Sequence, residues 1–558
     1  MATQKHGPFD RLLRAAEPPS NGEPAERDRA AVYVGGTIIG LALLLLILVL
    51  PPISILSGDG GGAEGIPAGP GTSDSYTSKI RSGVPKLPAG LVAASSLFDL
   101  SAPEDQRGAS GLTIPLKEQE TDARDMALYT YVEEKWQRLS DVTLVAGGSA
   151  VRGEVDALPG NVIVLKRSAT LLQVAGSIPA GTTLDPAAEG VLTTLHPIVF
   201  IPVDDGTIIG QPPAVPPASY RVVPSVVAPA PAVVDDILRT DETRAAHVTG
   251  IASAVTEGNF AGINVDYRGV NPALRDQFSA FVEALAQALR QDGRTLTLTL
   301  PMPVIDGASV DTGAYDWERL GAAADSIELA PELDQDLYFQ RTEAALDYIV
   351  ERVDRGKILI TITTLSVERG GDGLRVMSYE DALAIASQVT VKHEGDIAPN
   401  TAVPLVAQNL AQSEGGTGLQ WDDVARSVTF TYPGRAGRRT VWIANQFSAA
   451  FRLELAQRYN LGGVAFTDVS TEAGGANVWA AVQEISDTGS VSLVKPNGEL
   501  FTPVWLAVNG ALDQTRGDSV TWTSPGEPGP YEVAILISDG IARAANRITI
   551  TVAEPPDE

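Results

Sequence analysis

Residues 260–293 read FAGINVDYRGVNPALRDQFSAFVEALAQALRQDG, a short apolar run followed by a longer periodic one. The stretch AGINVDY has the length and composition of a buried strand. Asn271 and Pro272 then suit the cap and first-turn positions of a helix, Phe278, Phe281, Val282, Leu285 and Leu289 recur at helical spacing, and Gly293 ends the segment. The pattern predicts one strand and one helix whose apolar stripe packs on it.

Outward from this unit the same alternation repeats. LLQVAGSI, HPIVFIPV, YRVVPSVV, AGINVDY, TLTLTLPM, SIELA, KILITIT and GGVAFTDV are eight β-type runs between about Leu171 and Ile485, separated by helical or irregular segments. Strands buried on both faces read as near-continuous apolar runs, and eight of them predict a (β/α)8 barrel with a parallel sheet over residues 169–486.

The 558 residues leave room for more than a barrel. Residues 86–168 hold short alternating stretches, GLTIPL, MALYTYV, KWQRLSDVTLV and NVIVLK, broken by Gly, Pro and Asp turns, which predicts a small β-sandwich. Residues 487–554, with VSLV, VWLAV, SVTWTS, YEVAILISDG and RITITV, predict a second sandwich, and their order resembles Ig-like repeats of bacterial surface proteins. Residues 57–85 are rich in Gly, Pro and Ser and read as a flexible linker.

From Ala31 to Leu50 the sequence AVYVGGTIIGLALLLLILVL carries no charge, which is long enough for about 30 Å of hydrocarbon. Residues 31–56 are therefore expected to form a single-pass transmembrane helix. Lys5, Arg11, Arg14, Arg27 and Arg29 precede it, and the next basic residue is Lys79. That asymmetry places residues 1–30 in the cytoplasm and the bulk of the chain outside the cell membrane. The formal charge of −28 disfavours nucleic acid as a partner. With no cysteine and four separated histidines, neither thiol chemistry nor a metal site is expected, and no cofactor is implied.

Four segments, in order LTTLHPIVFIPVDDGTI, FAGINVDYRGVNPALRDQFSAFVEALAQAL, LTLTLPMP and TVWIANQFSAAFRLELAQRYNLGGVAFTDV, resemble the barrel of glycoside hydrolase family 18, especially its chitinase-like and spore-germination branch. The resemblance implies a D-x-x-D-x-D-x-E signature ending the fourth strand, with the terminal Glu as proton donor and the Asp before it orienting the substrate's acetamido group. Here Asn264 stands at an inner Asp, Asp266 keeps the last one, and Arg268 replaces the acid. Arginine has no proton to deliver near neutral pH. The family's strand-six tyrosine falls near Leu329-Ala330-Pro331-Glu332, and its strand-eight tryptophan platform falls at Thr467.

No catalytic residue is assigned on this basis, and Asp266, Arg268, Glu332 and Thr467 are the ligand-binding candidates. Asp266 and Arg268 can be a structural ion pair at the barrel mouth, or Arg268 can grip an anionic sugar or carboxylate. Trp317, Trp442 and Trp479 are read as core. Three functions follow as alternatives. One is a catalytically inactive surface protein that binds a cell-wall or extracellular glycan or envelope proteins. Another is an active glycosidase on chitin or peptidoglycan, with Asp266, Glu332 or another residue as acid. The last is a stalk or envelope component without a ligand.

Overall fold

The computed structural model describes residues 77–554, apart from 88–90, 104–107, 122, 124, 168–172, 212–218 and 475–476. The expected cytoplasmic segment, the transmembrane helix and most of the linker lie outside the described residues. Among the described residues no helix is long and apolar enough to cross a membrane.

Eight parallel strands form the barrel: β1 (Gln173–Pro179), β2 (Thr194–Pro202), β3 (Ser225–Val227), β4 (Gly262–Asp266), β5 (Thr295–Leu300), β6 (Ser326–Leu329), β7 (Ile358–Ile362) and β8 (Gly463–Phe466). Each pairs with the next in chain order, and β8 pairs with both β7 and β1, so the sheet closes. Closure depends on a missing side chain: a Cβ on Gly463 would lie 2.0 Å from the Gln173 carbonyl oxygen of β1.

The strand period decides what faces the barrel axis. In β4, Ile263 and Val265 belong to the main apolar core, while the intervening Asn264 bonds across to Ser225 and Thr299. The helix predicted after β4 spans Arg275–Gln291, preceded by a 3-10 turn whose first amide, on Ala273, donates to the Asn271 side chain. Phe278, Phe281, Val282, Leu285 and Leu289 are all buried in that core.

Before the barrel, two sheets share one core around Phe98, Leu112, Leu128, Val151 and Val164. This unit starts earlier than the linker boundary at 85 implied. Thr77–Ile80 is a strand paired antiparallel with Phe98–Ser101, and Arg81 ion-pairs with Asp99. The unit meets the N-terminal end of the barrel, where Asn460, in the turn before β8, donates to the Asp125 carboxylate and to the Arg167 carbonyl.

The C-terminal strands require a second correction. Between β7 and its helix Gln446–Arg458, residues 363–445 form strands of their own. One of them, Ala402–Ala407, pairs antiparallel with Ser519–Thr523 of the tail. Leu383, Val403, Leu405 and Phe430 share a core with Trp505, Trp522, Ile535 and Ile537. Residues 487–554 are therefore not a self-contained sandwich, because the barrel insertion supplies one of their pairing strands and more than half of the buried core. VSLV, at 491–494, forms no strand. Asp539 seals this unit to the barrel: it accepts from Asn445 Nδ2 at 2.8 Å, and Asn445 caps the helix that leads into β8.

Candidate functional site

The site is built from residues at the C-terminal ends of the barrel strands and from the layer beneath them. In that layer Asn264 is 2% exposed, donates through Nδ2 to Ser225 Oγ on β3 at 3.0 Å, and accepts from Thr299 Oγ1 on β5 at 3.1 Å. Thr299 Oγ1 also lies 3.5 Å from Glu328 Oε2 on β6. Across the barrel, Glu328 Oε1 is 3.0 Å from His196 Nε2 on β2, and both side chains are buried.

The His196 ring fixes the protonation logic. Its Nδ1 is 2.7 Å from the Val223 carbonyl oxygen, which can only accept, so Nδ1 carries a hydrogen. Nε2 faces Glu328 Oε1 at 3.0 Å as a buried ion-pair contact, without an aligned hydrogen bond to that oxygen among the described residues. Burial opposes charge on His196, but the adjoining Glu328 and the Val223 carbonyl outweigh it and raise its pKa.

One layer higher the carboxylate of Asp266 is gripped by Arg268. Nε donates to Oδ1 and Nη2 to Oδ2, both at 2.7 Å, in a fork that occupies both oxygens. The Asp266 side chain is 14% exposed and that of Arg268 51%. Burial raises the Asp266 pKa, against the lowering effect of the Arg268 guanidinium. Between them Tyr267 points to the helix layer, where its hydroxyl is 2.6 Å from His247 Nε2. His247 Nδ1 donates to the Gly206 carbonyl, so Nε2 accepts from the tyrosine, and burial lowers the His247 pKa to about 4.

The other candidates lie past the strand ends. Glu332, beyond β6, accepts from the Asp334 amide and from Arg341, both at 2.8 Å. Thr467, beyond β8, donates its amide to the Ile362 carbonyl at 3.2 Å, and its hydroxyl is 3.5 Å from that of Thr363. Both carboxylates among the candidates are thus already engaged by guanidinium groups. Trp317, Trp442 and Trp479 are 1%, 2% and 7% exposed, and Trp479 Nε1 donates to Asp185.

Reading the sequence missed His196, Ser225, Thr299 and Glu328. The signal was present: a lone His in TLHPIVF and a lone Glu in SIEL are charges inside otherwise apolar strands, which demand partners across the barrel.

No family model matches the chain. An uncharacterised glycosylase, YvbX, of Bacillus subtilis (strain 168) is 20% identical over 236 residues, 40% of this chain and 61% of that protein. The chain thus spans less than two thirds of this curated relative. Among solved structures, a chitinase from Chromobacterium violaceum is 22% identical, with a TM-score of 0.43, covering 56% of this chain and 98% of that one. The spore cortex-lytic enzyme SleL of Bacillus megaterium is 18% identical, with a TM-score of 0.42, covering 58% and 77%.

Proposed function

We propose that the chain is a membrane-anchored protein of the cell envelope whose glycosylase-like barrel does not hydrolyse glycosidic bonds and instead binds a partner protein or a glycan. The observation that carries this reading is the fork between Arg268 and Asp266. Glycoside hydrolysis needs a carboxylic acid that protonates the leaving oxygen. At the position where the family resemblance calls for that acid, this chain presents a guanidinium, and the guanidinium ties up the neighbouring carboxylate. The uncharged run at 31–50 and the basic residues before it support the anchor and its orientation.

A partner protein is favoured over a glycan, because Tyr267, Trp442 and Trp479 are buried and offer no ring face for a sugar to stack on. The hydrolytic reading has one observation in its favour: burial raises the Asp266 pKa, as a general acid requires. Its two oxygens are nonetheless both taken by Arg268.

The test is incubation of the purified full chain with chitin oligosaccharides and with peptidoglycan, followed by product analysis and co-sedimentation. No products are expected. Turnover that disappears in Asp266→Ala would overturn the reading, and failure to capture either a glycan or an envelope protein would turn it toward a purely structural stalk.

A further inference from the structure

Away from the barrel mouth, a groove of about 500 Å³ runs between the helix Gln446–Arg458 and the turn at residues 423–426 of the barrel insertion. Its charged groups are already matched, with one exception. Asp423 pairs with Lys495, and Arg458 pairs with Glu343 at 2.6 Å and with Glu454 at 3.3 Å. Arg426, also lining the groove, has no ion pair or hydrogen bond from its guanidinium among the described residues. It is held all the same: the guanidinium carbon lies 4.0 Å from the Phe339 ring centroid and 5.6 Å from that of Phe451. Stacking fixes the plane of the fork and leaves its N–H edge open.

The backbone gives an independent observation. Arg426 closes the turn between the strands Gln420–Asp422 and Ser427–Gly434, and its φ is +49°. That left-handed conformation ordinarily selects Gly or Asn, and an arginine there is strained. The two amides before it, on Val424 and Ala425, are satisfied by Asp422, so the turn itself does not need the arginine side chain. Strain retained at an unpaired, pre-oriented cation is a reason to look for a ligand.

The chemistry around the cation narrows the choice. Phe451 and Leu493 supply an apolar wall, and Leu493, Val494 and Val424 are 46%, 53% and 63% exposed. We propose that this groove binds a peptide carboxylate adjoining an apolar side chain, with Arg426 as its bidentate anchor. The planar fork of a guanidinium matches a carboxylate, and the apolar wall receives the neighbouring side chain. The net charge of −28 slows the approach of an acidic partner, but screening over about 8 Å at physiological salt leaves the contact itself to decide affinity.

The test is calorimetric titration of the full chain in detergent with N-acetyl-leucyl-leucine, with its C-terminal amide, and with an amidated N-acetyl-leucyl-aspartate. Saturable binding of at least one carboxylate-bearing peptide is expected, and comparing the two tells a chain terminus from an acidic side chain. The uncharged amide should bind at least tenfold more weakly. Arg426→Asn, which suits the left-handed turn, should keep the thermal midpoint and lose at least tenfold in affinity, while Arg426→Lys should recover only part of it. Equal binding of acid and amide by the wild-type chain, undiminished binding by Arg426→Asn, or binding of D-glucuronate in preference to either peptide would each overturn the proposal.

Discussion

The Glu328–His196 pair and the Asp266–Arg268 pair stand in one barrel, a layer apart, and they are built for different purposes. The first has side chains 4% and 1% exposed and lies beside Thr299, whose one hydroxyl hydrogen goes to Asn264, itself bonded to Ser225. The second is 14% and 51% exposed and spans two residues of a single strand end. A buried pair must satisfy every donor and acceptor because water cannot, so removing one partner strands the other. A pair with one half-exposed member contributes less, since water can take the place of the Arg268 guanidinium. The lower layer therefore holds the fold, and the upper layer sets what the mouth can do chemically.

Breaking the lower pair should have the largest effect. Glu328→Ala or His196→Ala is expected to cost about 3–5 kcal/mol in urea unfolding, the range for a buried pair that loses one member. Replacing both, His196→Phe with Glu328→Leu, should recover much of that loss. A cost below about 1 kcal/mol for either single change would erase the contrast between the layers.

The two buried histidines sharpen the same contrast by titrating in opposite directions. His247 has a folded pKa lowered to about 4 from 6.5. As pH falls below about 6.5 the unfolded chain takes up a proton that the folded chain refuses, so stability is lost progressively down to about pH 4. The total is about 3 kcal/mol. His196, with its raised pKa, works the other way: its contribution is complete below the unfolded value and is lost as pH rises through the folded one. Urea midpoints from pH 7.5 to 4 should therefore fall less steeply in His247→Gln than in the wild type. Superimposable curves would show that the buried neutral state of His247 is not what limits acid stability.

The barrel was legible because its strands are buried on both faces: all eight apolar runs are strands, and the helix after β4 follows the predicted stripe. The pairing of Ala402–Ala407 with Ser519–Thr523 was not, because alternation marks a strand without naming its partner more than a hundred residues away. Thr77–Ile80 was hidden by the Gly- and Ser-rich sequence before it. At the site, Asp266 and Arg268 could be read because two residues on one strand end must lie close together. His196 and Glu328 could not, since β2 and β6 do not pair and their side chains meet only across the interior of the closed barrel.

The smallest expected effect belongs to the pair on which the functional reading rests. Arg268→Ala should change stability by less than about 1 kcal/mol, since the guanidinium is half exposed and water can replace it. Its effect should appear instead in the titration of Asp266. Burial raises that pKa while Arg268 lowers it, so removing the guanidinium should raise it further, which carboxyl NMR can follow. Any stability difference from the wild type should then be largest above the new folded pKa, where the carboxylate is charged and unpaired. It should vanish below about pH 3.8, where Asp266 is protonated in the folded and unfolded chains alike. Arg268→Glu should still yield no chitin hydrolysis, because Asn264 is fixed between Ser225 and Thr299 and Glu332 is held by Arg341. Hydrolysis gained by that one change would mean that the upper layer differs from a working glycosidase by a single side chain, and that the lower layer had kept the catalytic architecture intact.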